Sequence, residues 1–301
     1  MKKYSIAGQG CQIRELFRPC FLYTCVWAGF AYNEVVDDVA GGMPTYRLPR
    51  RYVPGFVWSA LAIQPRSFAR DATRAIRGVD PPLQVVGDEQ IPAAGPCLVV
   101  CNHYGRPGFA SWWLTFSIQA AVAARRAPGA DPQIRWVVAA AWTYPSGSWR
   151  DRMVTPLTRW AFGRVAQVYG FVSMPPMPPR AFEVEARAAA VLKTARLARQ
   201  AARTGGMIGL APQGGDVATW LAPPPPGAGE FIALLVGAGL PVLPVAVAED
   251  AGRLRLSFGP IVVPQIPPRH ADRDRLVSEQ VMAAIGRLLP CAGAESAEAA
   301  R

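Results

Sequence analysis

The chain has 301 residues, of which 51% are hydrophobic and 18% are charged, and its mean hydropathy is +0.14. This composition supports a large buried core and excludes a disordered or fibrous chain. The net charge of +11 favours phosphate-bearing or membrane-surface partners. Only two histidines occur, so any mechanism with histidine as general base near neutral pH depends on His103 or His270.

Several common classes of protein are not indicated by the motifs. The six cysteines form no Cys-x-x-Cys pair and show no metal-ligand spacing, which indicates a reducing cytosol and predicts neither a disulfide scaffold nor a metal site. There is no Gly-x-Ser-x-Gly elbow and no P-loop. The arginines are scattered and form no aromatic-basic module, so no nucleic acid partner is expected.

The N-terminal region is aromatic and basic. Its longest apolar stretch, residues 20–32, has 13 residues, whereas a helix that spans a membrane needs about 20. Arg14, Glu15 and Arg18 interrupt the apolar segment that a signal peptide would need. We expect residues 17–58 either to form a helical subdomain over the core or to lie in a lipid interface.

Helix-like and strand-like patterns alternate from about Ser67 onward. In chain order, the pattern predicts a helix over 67–77, strands over 83–86 and 97–101, a helix over 109–124, a strand over 134–139, a helix over 180–203, a strand over 207–210, a helix over 229–236, strands over 241–247 and 254–258, and a helix over 272–289. The strand over 254–258 alternates like an exposed or edge strand.

This alternation predicts an α/β fold, with a single mixed, largely parallel sheet flanked by helices. A helical or irregular N-terminal region would precede it. We expect three parts, namely an apolar and basic region over 1–80, an α/β domain over 81–290 and a disordered tail over 291–301. The region over 1–80 is a candidate for contact with a membrane.

Asn102 and His103 follow a fully apolar predicted strand and precede a turn rich in glycine and proline. In α/β folds, ligand sites commonly lie at the carboxyl ends of strands and use polar residues there. A histidine that caps the turn by bonding a backbone carbonyl is the alternative. These residues alone leave both interpretations open.

Two further loops carry candidate residues. The loop over 211–216 follows a predicted strand, and its glycines let backbone N–H groups approach an anion or a substrate. An ordinary glycine-rich turn is the alternative. Arg180 ends a proline-rich loop near the start of a helix, where it would either grip a phosphate or be solvated. His270 lies in a polar loop and is predicted to be a surface residue.

Taken in order, five segments resemble the glycerolipid acyltransferase superfamily, which includes the 1-acylglycerol-3-phosphate acyltransferases. The segments are LQVVGDEQIPAAGPCLVVCNHYGRPG, GRVAQVYGFVSM, IGLAPQGGD, GEFIALLVGAGLPVLPVAV and LRLSFGPIVVP. The resemblance covers about residues 83–290. It implies an enzyme of phospholipid biosynthesis that moves a fatty acyl group from acyl-CoA or acyl carrier protein to the hydroxyl of a lysophospholipid or related glycerolipid.

The resemblance also implies roles for single residues. His103 would be the general base that removes the proton of the acceptor hydroxyl. The sequence departs from the family at two chemical positions, because Gly108 stands where the family has the Asp of its His-x-x-x-x-Asp motif and Gln213 stands where it has Glu. Asp216 is the predicted substitute carboxylate for His103.

The remaining implied residues bind substrate. They are Asn102, Arg106, Arg180, Gln213 and Gly214. Arg106 would pair with a phosphate of donor or acceptor, with an exposed loop arginine as the alternative. Gln213 can hydrogen-bond a hydroxyl or a headgroup but carries no charge. No metal and no cofactor is expected besides the acyl thioester, which is a co-substrate.

Two other functions stay open. One is a catalytically impaired lipid-binding pseudoenzyme of the same fold, which the two departures from the family favour. The other is a peripheral membrane protein whose N-terminal region matters more than its cleft. We expect the partners to be a glycerolipid acceptor, an acyl thioester donor and a membrane surface, with the protein cytoplasmic and peripheral on the inner face of the membrane.

Overall fold

The computed structural model describes residues 45–46, 52–106, 109–214, 221–268 and 270–290. In chain order, the helices and strands are β1 (Thr45–Tyr46), α1 (Val53–Ala62), α2 (Phe68–Ile76), β2 (Val79–Asp80), β3 (Gln84–Val86), β4 (Cys97–Cys101), α3 (Trp112–Arg125), β5 (Ile134–Ala139), α4 (Trp149–Tyr169), β6 (Val172–Met174), α5 (Val184–Thr204), β7 (Met207–Leu210), α6 (Ala228–Gly237), β8 (Val242–Asp250), β9 (Arg253–Phe258) and α7 (His270–Gly286). The predicted tail over 291–301 and residues 1–44 lie outside the described residues.

Seven of these strands form one mixed sheet in the order β3-β9-β8-β4-β7-β5-β6. Neighbouring strands run parallel, except that β8 and β9 are antiparallel. In the centre, Val99 of β4 stands beside Gly209 of β7 on one side and Leu243 of β8 on the other. The predicted α/β fold with a mixed, largely parallel sheet is confirmed, and β1 and β2 form a separate antiparallel pair beside it.

Helices cover both faces of the sheet. Val99 belongs to the core that β4 shares with α2, α3 and the end of α4, whereas Val100 belongs to the core shared with α5, α6 and α7. Because successive strand residues point to opposite faces, a strand between two helical layers is apolar at every position. This explains the unbroken apolar run of β4. Among the described helices, none combines the length and the apolarity that crossing a bilayer requires.

The strand β9 differs from its expected place. It lies between β8 and β3, and its Leu254, Leu256 and Phe258 are buried. The expectation of an exposed or edge strand over 254–258 is therefore wrong. The cause is β3, a strand of three residues that pairs with β9 on its outer side and takes the edge position.

Helix α4 has 21 residues and was not predicted from the sequence. Pro156 lies inside it, and the residues that it buries include Thr155 and Thr158. The hydroxyl of Thr158 donates to the carbonyl of Val154 at 3.0 Å, so its polar group is satisfied within the helix. Because threonines face inward in its first half and its buried apolar residues, Ala166, Val168 and Tyr169, lie near its end, the helix lacks the continuous inward apolar stripe by which an amphipathic helix is usually recognised.

Candidate functional site

The carboxyl end of β4 lies in the middle of the sheet edge, where the loops after β4 and β7 meet. Asn102, the first residue after the strand, is fully buried. Its Nδ2 donates to the carbonyl of Val247 at 2.9 Å, and its Oδ1 accepts from the N–H of Val247 at 2.7 Å. The side chain therefore continues the pairing of β4 with β8 by one residue. It fixes the position of the backbone from which His103 follows. Substrate binding by Asn102 stays a prediction.

Gln213 joins three segments of chain. Its Oε1 accepts the backbone N–H of His103 at 2.6 Å, and its Nε2 donates to the carbonyl of Ala222 at 2.9 Å. The residue is only 5% exposed, so both contacts are made away from water. An ionised glutamate could accept from His103 but could not donate to Ala222. The amide therefore suits this position, where the family that the sequence resembles carries a carboxylate.

His103 is partly buried and follows Asn102 at the end of β4. Through Gln213 it is joined to a loop that also holds Gly214, whose φ of +60° is a left-handed conformation that glycine adopts without strain. The structure therefore brings together predicted site residues from two distant parts of the sequence. Asp216 and Gly108 lie outside the described residues, and the pairing of His103 with Asp216 stays a prediction.

Glu249, near the end of β8, is a site residue that the sequence analysis missed. Its carboxylate accepts hydrogen bonds from the hydroxyls of Tyr46 at 2.6 Å and Tyr104 at 3.1 Å. It also accepts from Arg106, through Nε at 2.5 Å and a terminal guanidinium nitrogen at 2.8 Å. The Glu249 side chain is 8% exposed and that of Arg106 is 21% exposed. Arg106 is thus the counter-ion of a buried carboxylate, and phosphate binding by Arg106 stays a prediction.

The two tyrosines act as hydrogen-bond donors to Glu249. Burial raises the pKa of both hydroxyls above the usual range, and the nearby Glu249 carboxylate raises the pKa further. Both hydroxyls therefore stay protonated at neutral pH. A signal for Glu249 was present, because an acidic residue ends the apolar run of β8, just as Asn102 and His103 follow the apolar run of β4.

Arg180 is held at the start of α4. Its guanidinium donates to the carboxylate of Asp151 at 2.7 Å and 3.3 Å, and to the carbonyl of Tyr144 at 3.2 Å. The hydrogen bond from Arg180 keeps the pKa of Asp151 below its ordinary value. Arg180 therefore fastens the loop after β6 to α4, and its predicted contact with a phosphate stays a prediction.

Comparison with known proteins gives a single kind of likeness, which is structural. No protein-family model matches the sequence, and no curated protein matches it. Among solved structures, the chain is similar to the 1-acyl-sn-glycerophosphate (LPA) acyltransferase PlsC from Thermotoga maritima, with 15% sequence identity and a TM-score of 0.39. The alignment covers 92% of this chain and 97% of that one.

Proposed function

We propose that the protein transfers a fatty acyl group from acyl-CoA or acyl carrier protein to the hydroxyl of a lysophospholipid or related glycerolipid. The observation that carries this proposal is the hydrogen bond between Gln213 and the backbone of His103. It joins two segments that resemble separate blocks of the glycerolipid acyltransferases. Both segments lie at carboxyl ends of neighbouring parallel strands, where α/β folds bind their ligands.

In the proposed reaction, the neutral imidazole of His103 accepts the proton of the acceptor hydroxyl while that oxygen attacks the thioester carbonyl. Backbone N–H groups of the turn after β4 stabilise the oxyanion. The C–S bond then breaks, and the leaving thiolate takes the proton from the imidazolium. Asp216 is the proposed carboxylate that stabilises the imidazolium, by analogy with the Asp of a catalytic triad.

Substrate binding and location complete the proposal. The proposed substrate-binding residues are Asn102, Arg106, Arg180, Gln213 and Gly214. We place the protein in the cytoplasm, peripherally on the inner face of the membrane, where its glycerolipid acceptor resides. The net charge of +11 supports this location, because the cytoplasmic leaflet carries anionic lipids.

The test is an acyl-transfer assay of the full chain with acyl-CoA and acyl carrier protein donors and a panel of lysophospholipids. Removal of the general base in His103→Ala should lower the rate of thioester consumption by at least about 100-fold. The control is Leu192→Ala on α5, an exposed apolar residue that is 57% accessible and should leave the rate unchanged.

The assay also separates transfer from the lipid-binding alternative, which the replacement of the family Asp and Glu by Gly108 and Gln213 favours. Thioester consumption that the parent shows and His103→Ala loses supports the enzyme. If no donor is consumed above background while the parent still binds lysophospholipid, the pseudoenzyme is correct and the acyltransferase proposal is wrong.

A further inference from the structure

Helix α4 exposes apolar side chains to solvent along one stripe. The outer stripe of α4 consists of Trp149, Met153, Pro156 and Trp160, which follow one another at steps of four, three and four residues and so share a helix face. Trp149 is 68% exposed, Met153 67% and Trp160 36%. A helix of 21 residues is about 31 Å long, so the outer stripe forms an extended surface.

The first half of α4 has the reverse of the polarity of an ordinary surface helix. There the inward face buries Thr155 and Thr158, whereas the outward face presents two tryptophans and a methionine, and the buried apolar residues Ala166, Val168 and Tyr169 all lie near the end of the helix. Large apolar side chains grouped on one exposed face are uncommon in soluble proteins and mark surfaces that bind a partner or a membrane. Phe182, which is 65% exposed, stands beside Arg159 of the same helix and extends the apolar surface.

The charges around the outer stripe select the kind of partner. Helix α4 carries four arginines, Arg150, Arg152, Arg159 and Arg164, and a single acidic residue. That acid, Asp151, is already bonded to Arg180, and Arg159 is paired with Glu183, so the excess of positive charge rests on Arg150, Arg152 and Arg164. The guanidinium of Arg150 lies 5.6 Å from the ring centre of Trp149, and that of Arg164 lies 5.7 Å from the ring centre of Trp160. Each exposed tryptophan is therefore flanked by a cation.

We propose that the outer stripe of α4 lies flat on the surface of an anionic bilayer. Tryptophan rings are favoured at the level of the lipid headgroups, and arginines on a flat-lying helix bind the lipid phosphates while their stems stay in the apolar layer. A second copy of the chain fits less well, because two α4 helices would bring like charges together. The proposal deepens the peripheral location proposed above by naming the surface that makes the contact.

The experiment measures partition of the full chain onto phosphatidylcholine vesicles with and without phosphatidylglycerol. Trp149→Ser combined with Met153→Ser should weaken binding to anionic vesicles at least tenfold. Arg150→Gln combined with Arg152→Gln should weaken it roughly 25-fold at low salt and less at high salt, because each basic residue near an anionic surface contributes about a fivefold factor. No turnover is involved, so the result is independent of the acyl-transfer assay.

Matched controls come from the helical layer on the opposite face of the sheet. Leu192→Ser with Leu234→Ser removes exposed apolar residues, and Arg196→Gln with Arg199→Gln removes two charges. Both controls should bind like the parent. The proposal is overturned if the parent does not bind anionic vesicles, or if the variants of the outer stripe bind as the parent does. It is equally overturned if those variants alter the oligomeric state or the melting temperature while binding is unchanged, since protein then covers the stripe.

Discussion

Three buried polar side chains determine how the carboxyl edge of the sheet is built. Asn102 binds both backbone groups of Val247, Gln213 joins the turn of His103 to the loop at Ala222, and Glu249 collects three donors. Buried polar groups are costly unless each is hydrogen-bonded, so such a network favours one arrangement of the loops. We infer that these residues hold the turn of His103 in place before any substrate binds.

The buried carboxylate of Glu249 on β8 leads to a prediction about stability. Glu249→Gln keeps the size of the side chain but leaves the charge of Arg106 without its counter-ion. Breaking a fully buried pair costs about 3 to 5 kcal/mol, and because the Arg106 side chain is 21% exposed, we expect a loss of about 2 kcal/mol. The measurement is the free energy of unfolding in urea at neutral pH.

The control for this prediction is the next residue of the same strand. Asp250 pairs with Arg255 at 2.8 Å, but the two side chains are 22% and 27% exposed, so solvent screens the pair. Asp250→Asn should therefore cost less than about 1 kcal/mol. Equal losses in the two variants would show that Glu249 is no more important than an ordinary surface acid.

The sequence located part of this network and missed the rest for a physical reason. Asn102, His103 and Gln213 could be predicted because each lies within three residues of the end of an apolar strand, where α/β folds commonly bind their ligands. The role of Glu249 depends on Tyr46, which is 203 positions away and reaches the sheet edge only after folding. The end of the apolar run of β8 marks Glu249 as a polar residue at a strand end, but no local pattern in the sequence carries its contact with Tyr46.

At the scale of elements, Gly209 of β7 pairs with Trp136 of the neighbouring strand β5, and its missing side chain leaves room for the indole ring. A Cβ at Gly209 would overlap the ring of Trp136 and would lie 2.7 Å from Cγ2 of Ile134, both of them fully buried. Trp136 therefore occupies the space that a side chain on β7 would fill. The apolar pattern predicted both strands correctly, but it gave no information on this packing.

Gly209→Ala should consequently destabilise the protein by about 3 kcal/mol, since the added methyl group forces buried side chains to move. Gly163→Ala in α4 is the matched control, because a Cβ there meets nothing within 4 Å. There, the higher helix propensity of alanine should raise the free energy of unfolding by about 0.5 to 1 kcal/mol. Urea unfolding of the two variants checks both signs, and a neutral Gly209→Ala would mean that β5 and β7 are not packed this tightly.

Element prediction succeeded where burial and apolarity coincide. The strands over 97–101, 134–139 and 207–210 have the predicted bounds, because each is largely apolar and lies inside the sheet. It failed at α4, because in the first half of this helix threonines face inward and large apolar side chains face outward. The outer stripe of α4 is thus both the reason that the helix was missed and the basis of the proposed membrane contact.

On the scale of the whole molecule, folding buries cysteine thiols and tyrosine hydroxyls and so makes them weaker acids. Cys97 and Cys101 of β4 are free and buried, and burial raises the pKa of each thiol from 9.0 to about 12. Burial also raises the pKa of Tyr46, Tyr104 and Tyr169 above the usual range for tyrosine. The folded protein therefore keeps these protons at pH values where the unfolded chain releases them.

This difference predicts a loss of stability in alkali. The contribution of each thiol is fully present below the unfolded pKa of 9.0 and is lost as the pH rises toward the folded pKa of about 12. Each proton contributes about 1.4 kcal/mol per pH unit, so the two thiols alone should lower the free energy of unfolding by about 2.7 kcal/mol per unit in that interval.

Urea unfolding from about pH 8 to about pH 11 measures this slope. The double variant Cys97→Ala and Cys101→Ala should start less stable but show a shallower slope, because the two thiols then no longer contribute and Tyr46, Tyr104 and Tyr169 still do. A parent whose free energy of unfolding stays constant over this interval would show that the thiols and the tyrosine hydroxyls titrate alike in the folded and unfolded chains.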